Sequence, residues 1–120
     1  MSAKIISTTD GIVTIKITGL FTYPDQLALQ NATIDLIPQQ GKISVLSIYE
    51  DFQGWSKDDR WEDVSFQEKS DPYIKKMAIV GEEKWRELAL MSVGAGFRGF
   101  PVAYFQTAEL DKAKAWLMSE

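Results

Sequence analysis

The chain contains no cysteine and no histidine. Without cysteine there are no disulfides, thiolate nucleophiles or thiolate metal sites. Without histidine, the usual general base near neutral pH and the commonest metal ligand are missing as well. Positive charge is also short: 13 Lys and Arg against 17 Asp and Glu leave a net charge of −4 and a pI near 4.8. Neutralising many phosphates calls for a Lys/Arg-rich face, so this balance argues against nucleic acid as a partner. No apolar run approaches the roughly 20 residues that spanning a bilayer requires. Residues 1–7 lack the long apolar core of a secretory signal, so a cytoplasmic protein is the expectation.

What remains is ordinary for one α/β domain spanning residues 1–120, with 45% hydrophobic and 25% charged residues. The organising stretch runs from Lys75 to Trp85. Met77 to Val80 is a continuous apolar run, as suits a strand covered on both faces. Gly81 breaks it, and Glu82 and Glu83 then complement the partial positive charge of a helix start. Trp85, Leu88, Ala89 and Ser92 follow at helical spacing.

Ahead of that unit, residues 4–8 form a candidate strand and Asp10-Gly11 a two-residue hairpin signal. Val13, Ile15 and Ile17 alternate with Thr14, Lys16 and Thr18, which predicts one wetter sheet face and uneven helical cover. Residues 19–24 read as a connection, with Thr22 as N-cap and Pro24 near the first helical position. The helix runs towards Ile37, with Leu29, Ala32 and Leu36 on one face, before Pro38 and Gly41 end it. Residues 42–49 make a third strand and 50–54 its exit loop. Ser56 and Asp59 open a short helix with Trp61 and Val64. The last strand spans 101–105, and Thr107 caps a closing helix that buries Leu110, Ala113 and Leu117. The order is ββαβαβαβα, a mixed and mostly parallel sheet with an N-terminal hairpin.

Gly54-Trp55, Trp61-Glu62-Asp63, the run from Lys76 to Gly81 leading to Trp85, Tyr104-Phe105 and the closing residues 113–117 together resemble the SpoIIAA-like proteins. These are distant relatives of the anti-sigma-factor antagonists and of the STAS domain. The resemblance covers nearly the whole chain and implies a βα superhelix with helices largely on one side, a cytoplasmic bacterial setting and no enzyme activity. Antagonists of the sporulation type carry a phosphorylated serine in an Asp-Ser-Ser/Thr-Gly-like motif after the third strand. Residues 50–56 here read Glu-Asp-Phe-Gln-Gly-Trp-Ser, in which Ser56 is the nearest hydroxyl but its surroundings do not match.

Three groups of residues invite a chemical reading. Gly94, Gly96 and Gly99 match the letters of a dinucleotide fingerprint, but they follow a helix and precede a strand, the reverse of the required context. A connecting loop is expected there, in which Phe97 and Phe100 flank Arg98 and either fold back onto the core or form an exposed apolar tip; as a tip, Phe97, Arg98 and Phe100 are its candidate membrane contacts. Glu50, Asp51, Asp58, Asp59, Glu62 and Asp63 concentrate acid at one βα junction, yet fit no EF-hand spacing, and no metal or other cofactor is expected. Phe21, Tyr23, Phe52 and Trp55 lie in connections past strand C-termini, where α/β folds form ligand crevices, and Trp61 follows close behind. Core packing is the commoner fate of any one such ring. Together they make the candidate pocket for a small apolar or lipid-like ligand. The expectation is a binding module without catalysis, taking such a ligand at or near a membrane surface. The alternative is a regulatory domain with a protein partner.

Overall fold

Both kinds of apolar pattern become strands of one sheet. The computed structural model describes residues 3–8, 11–40, 42–55, 73–92 and 100–119, apart from the side chains at 30, 34, 36–40 and 92. Strands β1 (Ala3–Ser7), β2 (Ile12–Phe21), β3 (Ile43–Trp55), β4 (Ile74–Gly81) and β5 (Val102–Gln106) lie side by side in chain order. The β1/β2 pair is antiparallel and the other three pairs are parallel. Gly11, at φ +73°, enters β2 from the hairpin, a conformation that glycine adopts without penalty. Helices α1 (Tyr23–Gln40), α2 (Arg86–Ser92) and α3 (Leu110–Met118) complete the described chain. The short helix expected to contain Trp61 and Val64 lies outside the described residues.

The alternation of β2 sets one core. Val13, Ile15 and Ile17 are buried, and they meet Val45 and Tyr49 of β3, Ile79 of β4, Leu29 of α1 and Ala89 of α2. A second cluster lies on the opposite face, where Leu46, Ala78 and Val80 are covered by Ala113 and Leu117 of α3. β4 is thus buried from both sides, as its unbroken apolar run predicts. Apart from Ile12 at the start of β2, which packs against this cluster, the second cover does not extend over β1 and β2. Lys4 is exposed there, and Thr14, Lys16 and Thr18 are half-buried, with Lys16 paired to Glu50 at 3.0 Å.

Several local expectations are met and others corrected. Thr22 caps α1: its Oγ1 accepts from the Asp25 amide at 3.3 Å, and the Asp25 carboxylate accepts from the Thr22 amide at 3.3 Å. Pro38 does not stop the helix but falls in its last turn, where a missing N–H forfeits only one backbone bond. Ala32 is exposed. The buried partner of Leu29 is instead Thr33, one turn on, whose hydroxyl is satisfied by the Leu29 carbonyl at 2.7 Å. Leu88 is 51% exposed, because a turn of 3-10 helix (Glu83–Trp85) precedes α2 and rotates Ala89 inward. Thr107 is not the cap of the closing helix. A further 3-10 turn (Thr107–Glu109) comes first, and Glu109 reaches back to accept from the Gln106 amide at 2.9 Å.

Ile79 is fully buried at the meeting point of β3, β4 and β5. Ile79→Ala should lower the unfolding free energy by about 2–5 kcal/mol in urea, with an unchanged denaturant slope. The backbone bond from Gln106 holds the Glu109 carboxyl below its ordinary value, against an opposing loss of hydration and with Lys112 adding to the lowering. A carboxyl depressed on folding contributes stability above its unfolded pKa and loses it as pH falls through the folded one. The stability gap between wild type and Glu109→Gln should therefore be present at neutral pH and close on acidification.

Candidate functional site

Side chains alternate along a strand, so residues three apart ordinarily point to opposite faces. Tyr49, Phe52 and Trp55 of β3 are spaced by three and yet share one side. The pairing with β2 explains how. Thr18 is opposite Glu50, Gly19 opposite Phe52, Leu20 opposite Gly54 and Phe21 opposite Trp55, so Asp51 and Gln53 are each an extra residue in the ladder. Each bulge reverses the facing of the side chains beyond it. Asp51 takes φ +50° and Gly54 φ +101°, the backbone cost of that rearrangement. Residues 50–54, expected as an exit loop, are thus strand, and β2 likewise continues to Phe21.

The rings brought together form a nest at the C-terminal end of the parallel strands. Tyr49 stacks on Phe52 at 4.4 Å, Trp55 meets Phe52 edge-on at 4.9 Å, and Trp85 meets Phe52 edge-on at 5.0 Å and Trp55 at 6.0 Å. Such edge-to-face pairs add about 0.5–1.5 kcal/mol each beyond the area they bury. Two glycines make the closure possible. A Cβ on Gly54 would stand 3.3 Å from the Trp85 ring, and one on Gly81 would stand 2.7 Å from the Tyr104 hydroxyl and 3.1 Å from Tyr49 Cβ. Tyr104 uses that space to donate to the Glu82 carbonyl at 2.7 Å. Arg86 lies 5.1 Å from the Tyr104 ring centre, donates to the Tyr104 carbonyl at 3.2 Å and pairs with Glu83 at 2.6 Å.

The expected pocket residues divide between interior and rim. Phe21, Tyr23 and Phe52 are buried, at 5%, 8% and 4% exposure, whereas Trp55 is half-buried at the outer edge. Phe21 ends β2, in register with Trp55, and Tyr23 opens α1. Trp61 and Ser56 lie outside the described residues, as do Phe97 and Arg98. Phe100, a candidate membrane contact for which the sequence leaves both a core and a tip position open, is a core residue at 7% exposure and so not a membrane contact, because its ring joins the larger buried cluster ahead of β5. Tyr49, Trp85 and Tyr104 belong to the site and were not singled out as site residues from the sequence. The recurrence of a ring at 49, 52 and 55 is a local signal for Tyr49 and does not reach Trp85 or Tyr104, which lie on other segments.

Chemically the nest offers ring faces and one donor. Burial pushes the Tyr49 phenol upward, with Tyr104 adding to it. Burial also pushes Tyr104 up to about 12, reinforced by Glu83 and Glu82 and opposed by Arg86. Neither phenol ionises near neutral pH. Among the described residues, buried Trp85 Nε1 has no hydrogen-bond acceptor, and a buried donor left unsatisfied costs about 1–3 kcal/mol. Glu50 and Asp51 are exposed, and no three acidic side chains among the described residues are placed to hold a metal ion.

Gly81→Ala should destabilise by about 1–3 kcal/mol through overpacking against Tyr104 and Tyr49. In a Tyr104→Phe background the closest clash disappears, so a double-mutant cycle in urea should show the two changes coupled, and simple additivity would contradict the contact.

A family model described as SpoIIAA-like matches residues 12–118. No curated protein matches the chain. Among solved structures, the fold is similar to the crystal structure of an uncharacterised protein with a SpoIIAA-like fold from Shewanella loihica PV-4. The TM-score is 0.71 at 21% identity, over 96% of this chain and 91% of that one. That neighbour shares the sheet-and-helix architecture, and the family model covers all but residues 1–11, which include the first strand, and the last two residues. The chain belongs to the SpoIIAA-like family.

Proposed function

We propose that this chain is a non-catalytic interaction domain that engages a regulatory protein partner, in the manner its resemblance to the anti-sigma-factor antagonists implies. The observation that carries this reading is how apolar surface is divided beside the rim of the sheet. Phe21, Tyr23 and Phe52 are spent on internal packing, while α2 leaves Leu88 51% and Met91 76% exposed. Residues three apart on a helix lie on one side of it, so Leu88 and Met91 present a joint apolar face. A methionine there adapts to a partner's shape at little cost.

A second reading keeps the small apolar or lipid-like ligand, with peripheral contact to a membrane. It is favoured by the Trp85 N–H that lacks an acceptor, next to the half-buried Trp55. In that reading Trp55 and Trp61 form the outer wall, Phe21, Tyr23 and Phe52 the inner one, and Phe97 and Arg98 the membrane contact. No described helix is long and apolar enough to cross a membrane.

A photo-crosslinker placed at position 91 should capture one stoichiometric protein partner, and a Leu88→Glu/Met91→Glu variant of unchanged melting temperature should lose it. Liposome flotation and native mass spectrometry with extracted lipids give the contrasting result. Flotation or a retained lipid, abolished by Trp55→Ala and with no protein captured, would replace the partner reading with the ligand reading.

A further inference from the structure

Helix α3 is fastened to the sheet at its end by one side chain from a distant strand. Lys76 lies two residues before Ala78 on β4, hence on the face that α3 covers. Its Nζ donates to the Trp116 carbonyl at 2.8 Å, the Ser119 carbonyl at 2.9 Å and the Ser119 hydroxyl at 2.7 Å, and it stands 4.9 Å from the centre of the Trp116 ring. All three ammonium protons are thus used at the C-terminus of α3, where the helix dipole favours a cation. Ser119 closes the arrangement by donating its hydroxyl to the Trp116 carbonyl at 2.6 Å.

The helix so held has little else to keep it in place. It is nine residues long, well below the length at which a helix persists alone, and only Ala113 and Leu117 are buried. Half-buried Leu110 and Trp116 add contacts, the latter against Phe105 at 6.0 Å. At its other end the 3-10 turn held by Glu109 joins it to β5, a short connection about which it can swing. Beneath it, Leu46, Ala78 and Val80 are no more than 1% exposed.

We propose that α3 is a hinged cover latched by Lys76, opening as a unit about the turn Thr107–Glu109 while the sheet stays folded. Opening uncovers the apolar strip of Leu46, Ala78 and Val80, which is buried in the closed state. The larger core, on the opposite face of the sheet, is untouched by this movement, so the two states differ in one face only.

Native-state hydrogen exchange on the full chain tests this. Lys76→Met keeps the side-chain stem and removes the ammonium, so amides of residues 110–118 should exchange roughly tenfold faster while those of β2 and β3 are unchanged. Lys76→Arg, which retains the charge, should restore most of the protection. Equal acceleration of α3 and the central strands, or none in either, would overturn the proposal. Should Lys76→Met not fold, Ser119→Ala removes only the exposed hydroxyl that accepts from Lys76 and donates to the Trp116 carbonyl, leaving the two carbonyl acceptors of Lys76 in place. A smaller acceleration confined to α3 then supports the latch, and unchanged exchange there refutes it.

Discussion

Along β3 the pairing with β2 admits two extra residues, Asp51 and Gln53, and the direction of every later side chain depends on them. Had the ladder been regular, Phe52 would have pointed away from Tyr49, and the three rings would have been divided between the two faces of the sheet. With both bulges they stack on one side, and Trp85 closes over Gly54 to complete the nest. The arrangement depends on Gly54 at φ +101° and on Gly19 at φ +66°, opposite Phe52, where the ladder shifts.

Close approach is the second condition. Tyr104 reaches the Glu82 carbonyl only because Gly81 lacks a side chain, and that hydrogen bond joins β5 to the turn that starts α2. Arg86 then spans the same junction, bonding to the Tyr104 carbonyl and to Glu83. The glycine that ends the organising strand thus serves two purposes: it permits the exit from the sheet and it admits the phenol that secures the exit. α2 is thereby held with Ala89 inward and with Leu88 and Met91 outward, which is the basis for placing a partner on that helix.

The sheet's two faces carry different duties. The face beneath α1 and α2 holds the larger core and the ring nest, whereas the other is covered over β3 to β5 by the short α3 and carries polar side chains over β1 and β2. A SpoIIAA-like chain built this way has one face committed to its own stability and one whose cover is slight. The proposed partner face on α2 and the proposed movement of α3 lie in separate regions, so neither requires disturbing the other.

Much of the architecture was legible in the residues. The alternation from Val13 to Ile17, the unbroken run from Met77 to Val80, the glycine after the hairpin and the Thr22 cap each express a preference satisfied within a few residues, so a local pattern suffices to read them. Contacts between distant segments were a different matter. Whether Phe52 faces Tyr49 depends on how β3 pairs with β2. Whether Phe100 is at a tip or in the core depends on what lies above it, and whether Leu88 or Ala89 turns inward depends on a 3-10 turn upstream. The strands, their order of appearance and the class of fold were determined by the sequence alone, because periodicity is local. The ring nest, the outward face of α2 and the Lys76 fastening were decided by tertiary structure, because register, parity and a reach of forty residues from Lys76 to Trp116 belong to pairs of segments and not to either one.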